Sequence, residues 1–228
     1  MGSVPIYWST AQGAIPFGRS WRIVQRGHDG NDCFFEDGDY LTYVHLLREF
    51  APSCGCLLHA YCLMTNHVHL FLTPTAPRSC ALLMKNVGQR YVQRINSRRE
   101  RSGTLWEGRF YSCPVPSERY ALACYRYVDC NPVKPGMVAH PDDYRWSSYR
   151  VNARASFAGF VTPHPVYMTL GQDDTGRAAA YRMICDVPLD AKEREALRRA
   201  TRRGYAAGTE PRKRGRPGKK MGTISFPA

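Results

Sequence analysis

Hydrophobic positions in the first 150 residues follow two spacings, one typical of strands and one typical of helices. Alternation, or short dense apolar runs, indicates strands at 21–26, 57–64, 67–73 and 110–115. Hydrophobic residues three and four positions apart indicate helices at 39–50, 77–98 and 117–131. The order strand, helix, strand, strand, helix, strand, helix predicts an α+β fold. We expect a ferredoxin-like antiparallel sheet with its helices packed on one side.

Both ends of the chain lack this regular spacing. Residues 1–20 carry scattered Gly, Pro and Ser and are expected to form a leader, and residues 151–187 are expected to form a linker. Residues 188–203 predict one basic amphipathic helix, followed by a flexible tail rich in Gly, Pro, Lys and Arg. We therefore expect one domain at 21–150, which is large enough to carry a catalytic site, and a basic extension at 188–228.

The composition indicates a folded protein that binds a polyanion. Hydrophobic residues make up 43% of the 228 and aromatic residues 12%, which is enough for a core. No apolar run reaches the roughly 20 residues of a membrane-spanning helix, so no membrane segment is expected. The net charge is +13, and residues 192–220 carry +9 of it. This excess favours nucleic acid as the partner, although charge alone does not separate DNA from RNA or an acidic membrane surface.

The cysteines point to a reducing compartment. There are nine, an odd number, and no two form a C-x-x-C pair, which argues against a disulfide framework and against a cysteine zinc site. Several lie at apolar positions of the expected elements, where a thiol packs as a small hydrophobic group. We expect reduced cysteines and a cytoplasmic protein.

The segment His67-Val68-His69 lies in one of the most apolar stretches of the chain. Residues i and i+2 of a strand project from the same face, so both imidazoles point one way and Val68 points the other. Neutral imidazoles in an apolar strand need polar partners or a ligand. The pair is a candidate half-site for a divalent metal, and the alternative is two unrelated histidines held by hydrogen bonds within the protein.

The helix expected at 117–131 carries polar groups along one stripe. At spacings of four, three and four, its members are Tyr120, Cys124, Tyr127 and Asn131. Tyr127 and Asn131 are one turn apart, so a phenol and an amide oxygen, which is a metal ligand, can approach one object together. The alternative is that Tyr127 packs in the core like others of the fourteen tyrosines. Tyr125 is about 160° away around the helix and is expected to face nearly the opposite way.

Four segments combine these residues with further motifs. They are MTNHVH at 64–69, GTLWEGR at 103–109, YVDCNPV at 127–133 and WSSY at 146–149. Together, and in this order, they resemble the REP-associated tyrosine transposases, relatives of the single-tyrosine HUH transposases of small insertion sequences. The segment VQRG at 24–27 also fits the family. The resemblance covers roughly residues 20–150.

The resemblance implies an enzyme that cuts and rejoins single-stranded DNA at palindromic REP-type repeats. By that resemblance His67 and His69 form the HUH metal pair, Tyr127 is the nucleophile and Asn131 completes the metal site. It also implies a divalent cofactor, Mg²⁺ or Mn²⁺, and a 5′-phosphotyrosine intermediate that removes the need for a nucleotide cofactor. The implied partner is single-stranded or hairpin DNA. Monomer and homodimer both stay open, as does the use of Tyr127 in its own subunit or in a partner.

Two other functions fit the same sequence. A domesticated DNA- or RNA-binding protein would keep the basic surface and have an inert site. A replication initiator or relaxase of the wider HUH class would share the chemistry, but such proteins usually carry further tyrosines or a helicase domain. A chain of 228 residues has no room for a helicase domain in addition to this one.

The chain departs from the family pattern around its first strand. Trp21-Arg22 stands where relatives commonly have Tyr-His, and His28 stands where Asn is frequent. These positions lie in the segment that resembles the family's sequence-reading element. We expect them to change which DNA is recognised and to leave the metal site untouched. The last residues, 223–228, lack the folded continuation of longer relatives, as a truncated or frameshifted end would.

Arginines interleaved with aromatic residues predict a surface for the DNA backbone. Those that flank the candidate site in sequence are Arg26, Arg90, Arg94, Arg98 and Arg109. Three of them, at 90, 94 and 98, form a basic stripe along one helix, and a solvated helix face is the alternative. In the tail, Arg214 and Arg216 belong to a KRGRP segment that resembles an AT-hook core, which binds narrow A·T minor grooves. The alternative there is an unstructured tail that adds nonspecific affinity.

Overall fold

The computed structural model describes residues 19–156 and 159–209, together with a short backbone hairpin at 9–10 and 13–14. Its centre is a four-stranded antiparallel sheet. The strands are β1 (Trp21–Arg26), β2 (Cys56–Met64), β3 (His67–Pro74) and β4 (Tyr111–Pro114). They lie in the order β2-β3-β1-β4, which is the ferredoxin-like arrangement. The predicted α+β fold is confirmed, including the β2–β3 hairpin, in which β3 is central and β2 lies at the edge.

Helices cover both faces of the sheet. The helices of the ferredoxin-like unit are α1 (Asp37–Ser53) and α2 (Ser79–Arg98), and α3 (Glu118–Asp129) follows β4. On β1, Gln25 faces α2 and lines a pocket with it, whereas Arg22 projects from the other face. The expectation of helices on one side is therefore wrong. The reason is that β3 buries Leu70 on one face and Phe71 on the other, so both faces need a covering layer.

The region 151–187 is folded rather than a linker, which corrects the sequence prediction. Three helices span most of it: α4 (Tyr149–Arg154), α5 (Pro165–Met168) and α6 (Asp174–Asp186). They bury one tyrosine each in a cluster of tilted and edge-on rings formed by Tyr125, Tyr149, Tyr167 and Tyr181. The helices α4 and α5 are too short to show a hydrophobic period, and Pro165 opens a helix after the His164 cap instead of marking a loop.

The predicted basic helix is confirmed as α7 (Ala191–Arg203), and it packs onto the sheet. Leu197, Ala200 and Thr201 form its buried face, and Arg119 of α3 forms an ion pair with Glu193 at 2.6 Å. This helix is therefore part of the folded body. The expected tail, with Arg214 and Arg216, lies outside the described residues.

The cysteines and the helices of the structure relate to the environment expected for the chain. All nine cysteines are free thiols, and six of them are buried. Among the described residues, no helix combines the length and the hydropathy needed to cross a membrane.

Buried Asp129 fixes the end of α3 to the rest of the domain. Its carboxylate accepts hydrogen bonds from Ser148 Oγ at 2.5 Å, Asn152 Nδ2 at 3.0 Å and the Tyr181 hydroxyl at 2.6 Å. Ser148 belongs to the WSSY segment, so the network joins two of the four family motifs. Burial raises the pKa of Asp129 to about 6, and its three donors oppose that rise.

Asp129→Asn is expected to lower the free energy of unfolding by about 1–3 kcal/mol at pH 8, because one of the three donors would face an N–H group. The folded carboxyl takes up a proton near pH 6 and the unfolded one near pH 4. Its contribution to stability therefore grows as the pH falls through this window. Urea unfolding of both proteins at pH 8 and pH 5 checks this, and the difference between them should be larger at pH 5. An equal difference at the two pH values would contradict the expectation.

Candidate metal and nucleophile site

The two histidines of β3 lie side by side on one face of the sheet, as their spacing predicts. The ring centroids of His67 and His69 are 4.6 Å apart and the rings are nearly perpendicular, at 88°. In the antiparallel pairing with β1, Arg26 is opposite His67 and Val24 is opposite His69. Partners opposite each other in a sheet project to the same side, so Arg26 shares the face of the histidine pair.

Tyr127 of α3 approaches this pair from above the sheet. Its ring centroid is 5.7 Å from that of His69, with the rings at 80°. The side chain is partly buried, which leaves part of the ring open to solvent. Two elements that are far apart in sequence thus bring a phenol beside two imidazoles, and this contact lies within one chain.

Tyr125 also reaches β3, contrary to the expectation that it faces away from Tyr127. Its ring packs against Phe71 with centroids 5.2 Å apart, and its hydroxyl accepts the backbone N–H of His164 at 3.0 Å. Tyr125 and Tyr127 leave α3 in different directions, yet both of their long side chains reach β3 beneath the helix. The angle between two residues around the helix therefore does not predict which strand each of them contacts. Tyr125 is fully buried and Tyr127 is not, so burial rather than direction distinguishes a core tyrosine from a candidate nucleophile.

Asn131 follows α3, which ends at Asp129, two residues before the expected end. The Asn131 side-chain Nδ2 donates to the backbone oxygen of Tyr127 at 3.4 Å, so the amide stays one turn from the tyrosine. This bond uses the amide nitrogen. The oxygen Oδ1 is the atom of this side chain that can ligate a cation.

Both imidazoles are neutral at neutral pH. Burial, together with the charges of Arg26 and Arg22, lowers the pKa of His67 to about 4. Burial also holds the pKa of His69 well below its usual range, with His67 and Arg22 as additional causes. A neutral imidazole has one nitrogen lone pair free of a proton, and this is the form that binds metals.

The hydrogen bonds of the pair test whether it fits a cation. His67 Nδ1 lies 2.6 Å from Asn66 Oδ1, and the Asn66 amide nitrogen donates to Gly30 O at 3.0 Å, which fixes the amide orientation. His67 therefore donates from Nδ1 and keeps its Nε2 lone pair for a ligand. His69 Nε2 is buried with no hydrogen-bond partner among the described residues, so no group of the protein occupies the position that a ligand of this atom would take.

The donor set fits a divalent ion bound by two imidazole nitrogens and one amide oxygen. Among residues 19–156 and 159–209, no group of three or more His, Cys, Asp or Glu side chains is arranged to hold a metal. A cation held by His67 and His69 would therefore need an oxygen from Asn131, from DNA or from water.

Arg22 is the residue of this site that sequence reasoning missed. It is only 2% exposed, its guanidinium carbon lies 4.1 Å from the centre of the Tyr127 ring, and its NH2 group lies 3.3 Å from His69 Nδ1. Its NH1 group donates to Thr201 of α7. The expectation that Trp21-Arg22 leaves the metal site untouched is wrong, because the β1–β3 register brings residue 22 next to His69. The departure from the family pattern was the only signal in the sequence.

Two of the expected DNA-binding arginines lie near the site. Arg26 is exposed at the end of β1, opposite His67. Arg109 is exposed in the loop after Trp106, and this loop pairs with the end of β1 through the Gly27–Trp106 bridge.

The basic stripe on α2 lies elsewhere. This helix covers the sheet face opposite His69, and Arg90, Arg94 and Arg98 are exposed there. Arg98 pairs with Asp39 at 3.1 Å and with Glu36, both at the start of α1. The stripe therefore does not converge with the histidines and Tyr127, and a DNA role for it stays a prediction.

Comparison with known proteins finds a family that the core of this chain resembles. The family model described as Transposase IS200 like matches residues 22–131, the segment that carries the sheet, His67, His69 and Tyr127. This match covers just under half of the chain and agrees with the resemblance drawn from the sequence, which is confirmed.

One solved structure shares the fold over most of both chains. It is the REP-associated tyrosine transposase bound to a REP hairpin, with a TM-score of 0.54 and 15% identity over 73% of this chain and 90% of that one. A candidate transposase from Deinococcus radiodurans R1 has a TM-score of 0.37 and 18% identity over 46% of this chain and 84% of that one, too low a score to support a conclusion. No curated protein matches the chain.

Proposed function

We propose that this protein cuts and rejoins single-stranded DNA beside a REP-type hairpin through a covalent bond to Tyr127. The observation that carries the proposal is the position of the Tyr127 ring 5.7 Å from His69, beside the buried imidazole of His69 and the half-buried imidazole of His67, both neutral. A core tyrosine would not need this setting, and a metal held by the two histidines without a tyrosine beside it would activate water instead of forming a covalent bond to DNA. The IS200-like transposase match over residues 22–131 supports the same class of reaction.

In the proposed reaction the Tyr127 oxygen attacks phosphorus and loses its proton. The bond from phosphorus to the 3′ oxygen breaks, that oxygen takes up a proton, and a 5′-phosphotyrosine forms. The new bond stores the energy of the old one, so a 3′-OH can later attack it and rejoin DNA without a nucleotide cofactor. A divalent ion, when bound, would stabilise the charge that develops on the phosphate oxygens.

The residues of this chain divide the remaining tasks. His67, His69 and Asn131 would hold the ion through two nitrogens and one oxygen. Arg26, exposed on the same face as His67, is suited to hold the DNA backbone at the entrance of the site. The net charge of +13 would strengthen binding to the phosphates of the DNA backbone.

Hairpin DNA is the proposed substrate. The relative of known structure that shares the fold is described as bound to a REP hairpin, and Arg26 and Arg109 give this chain exposed basic side chains at the end of β1 and in the loop that pairs with it. Soluble protein in the cytoplasm, close to the chromosome, would suit such a substrate.

The test uses end-labelled hairpin oligonucleotides with single-stranded flanks, incubated with the full chain and Mn²⁺ or Mg²⁺. We expect a covalent protein–DNA adduct on denaturing gels, a free 3′-OH on the released strand, and loss of both when EDTA is present. Flanks annealed to a complementary strand should give no adduct. Hairpin binding that survives EDTA and His67→Ala, with no adduct under any condition, would instead favour the non-catalytic binding protein.

A further inference from the structure

Arg22 is the buried cation of the site, and three partners hold it in place. Its guanidinium stacks on Tyr127, lies 3.3 Å from His69 Nδ1 and donates to Thr201 Oγ1. The Thr201 hydroxyl in turn donates to Leu197 O at 2.8 Å, within α7. The side chain is 2% exposed, so it is not a surface group waiting for DNA.

In the hydrogen bond between Arg22 and His69 the imidazole is the acceptor, whereas the imidazole of a metal ligand is usually the donor. A metal-bound imidazole usually donates its second N–H to an acceptor, as His67 does to Asn66 here. A guanidinium has only donors, so His69 Nδ1 accepts from Arg22. A neutral imidazole that accepts at Nδ1 carries its proton on Nε2. That is the buried atom left without a partner, and a proton there blocks coordination.

Charge adds a second obstacle. A divalent ion bound at His69 would share a water-poor pocket with the fixed positive charge of Arg22. Like charges repel more strongly where little water screens them. The guanidinium is held from α7 through Thr201, so moving it away also breaks a buried hydrogen bond.

We propose that Arg22 is a positioning residue that keeps the metal site of this chain closed. It holds His69 in the tautomer whose Nε2 carries a proton and cannot bind a metal. Its guanidinium also stacks on the ring of Tyr127 and so holds that ring in place. Metal binding then requires the guanidinium to leave His69, which weakens the affinity for a cation. The inference rests on the proposed function in taking His67 and His69 as the ligands.

The experiment measures Mn²⁺ binding to the full chain without DNA, by the loss of the electron paramagnetic resonance signal of free Mn²⁺. Arg22→Gln removes the charge and supplies an amide oxygen that can accept from His69 Nδ1, whereas Arg22→Lys keeps the charge and only donates. We expect the Kd for Mn²⁺ to fall by about tenfold or more in Arg22→Gln and to stay close to wild type in Arg22→Lys. Adding His69→Ala to Arg22→Gln should remove the gain.

A spectroscopic readout in the metal-free protein is independent of activity. Long-range ¹H–¹⁵N correlation spectra of the imidazoles should show His69 protonated at Nε2 in the wild type and at Nδ1 in Arg22→Gln. If Arg22→Gln does not fold, Thr201→Val serves instead, because it leaves Arg22 in the chain and removes its anchor; the Kd should again fall.

Two results would overturn the inference. The first is that Arg22→Gln binds Mn²⁺ no more tightly than wild type, which would make Arg22 a packing residue. The same result with Thr201→Val counts where Arg22→Gln does not fold. The other is a wild-type His69 protonated at Nδ1. If the wild type still forms the metal-dependent adduct in either case, only this inference fails. If no variant binds Mn²⁺ and no adduct forms, the proposed function fails with it.

Discussion

Tyr127→Phe is expected to abolish the covalent adduct with hairpin DNA, by at least about 10³-fold, and to leave hairpin binding nearly unchanged. The variant keeps the ring that packs beside His69 and under Arg22 and removes only the oxygen that forms the bond. Thermal unfolding should therefore stay close to wild type. Denaturing gels measure the adduct, and gel-shift titration measures binding.

Tyr125→Phe is the matched control for this change. It removes a hydroxyl from the same helix, one that accepts the His164 backbone N–H and is fully buried. We expect a loss of stability of about 1 kcal/mol and a full yield of adduct, normalised to folded protein. An adduct that persists in Tyr127→Phe would assign the nucleophile to another residue, and peptide mapping of that adduct would identify it.

The elements that the sequence predicted well are those with long, regular hydrophobic spacing. β1, the β2–β3 hairpin, α1, α2 and α3 all lie within a few residues of their expected positions. The shared face of His67 and His69 followed from the period of a strand, which is local geometry. The approach of Tyr127 to that face came from the family resemblance, because spacing along a helix says nothing about which strand lies beneath it.

The errors share one cause, which is that contacts between distant segments leave little trace in local spacing. Arg22 reaches His69 through the register of β1 on β3, and no periodicity encodes that pairing. The helices of 151–187 pack through single tyrosines: Tyr167 and Tyr181 contact Tyr125 of α3, and Tyr149 contacts Tyr181. The stripe of arginines on α2 correctly predicted a common helix face but not which side of the sheet that helix covers.

One error could have been avoided from the sequence. The run at 57–64 is apolar at both odd and even positions, apart from His59. A strand that is apolar on both faces needs a layer on each, so the run itself argued against helices on one side only. The second layer, made of α3 and the later helices, is the one that carries Tyr127 and Thr201 to the histidines.

His67→Ala and His69→Ala are each expected to abolish the adduct at every Mn²⁺ and Mg²⁺ concentration tested, a loss of at least about 10³-fold. Each removes one of only two imidazoles near Tyr127, and no third His, Cys, Asp or Glu among the described residues completes a metal-binding group that could replace it. Hairpin binding should persist, because the basic side chains remain. Adduct yield against metal concentration measures the effect, and a yield restored by high Mn²⁺ would show that the lost imidazole is not an essential ligand.

His59→Gln is the control for loss of a buried imidazole. His59 is also neutral, its pKa lowered to about 4 by burial, but it bonds to Thr162 O at 2.7 Å and to Thr73 Oγ1 at 2.8 Å. We expect lower stability with an unchanged metal dependence.

The same inactive variants decide whether Tyr127 acts on its own chain. The contact between Tyr127 and His69 lies within one chain, so a mixture of Tyr127→Phe and His67→Ala proteins is expected to stay inactive. If α3 served a partner subunit instead, mixed dimers would contain one intact site, with a wild-type tyrosine facing a wild-type histidine pair. Adduct recovered in the mixture, up to about a quarter of the wild-type yield if subunits exchange freely and Tyr127 acts only on its partner, would contradict the arrangement within one chain.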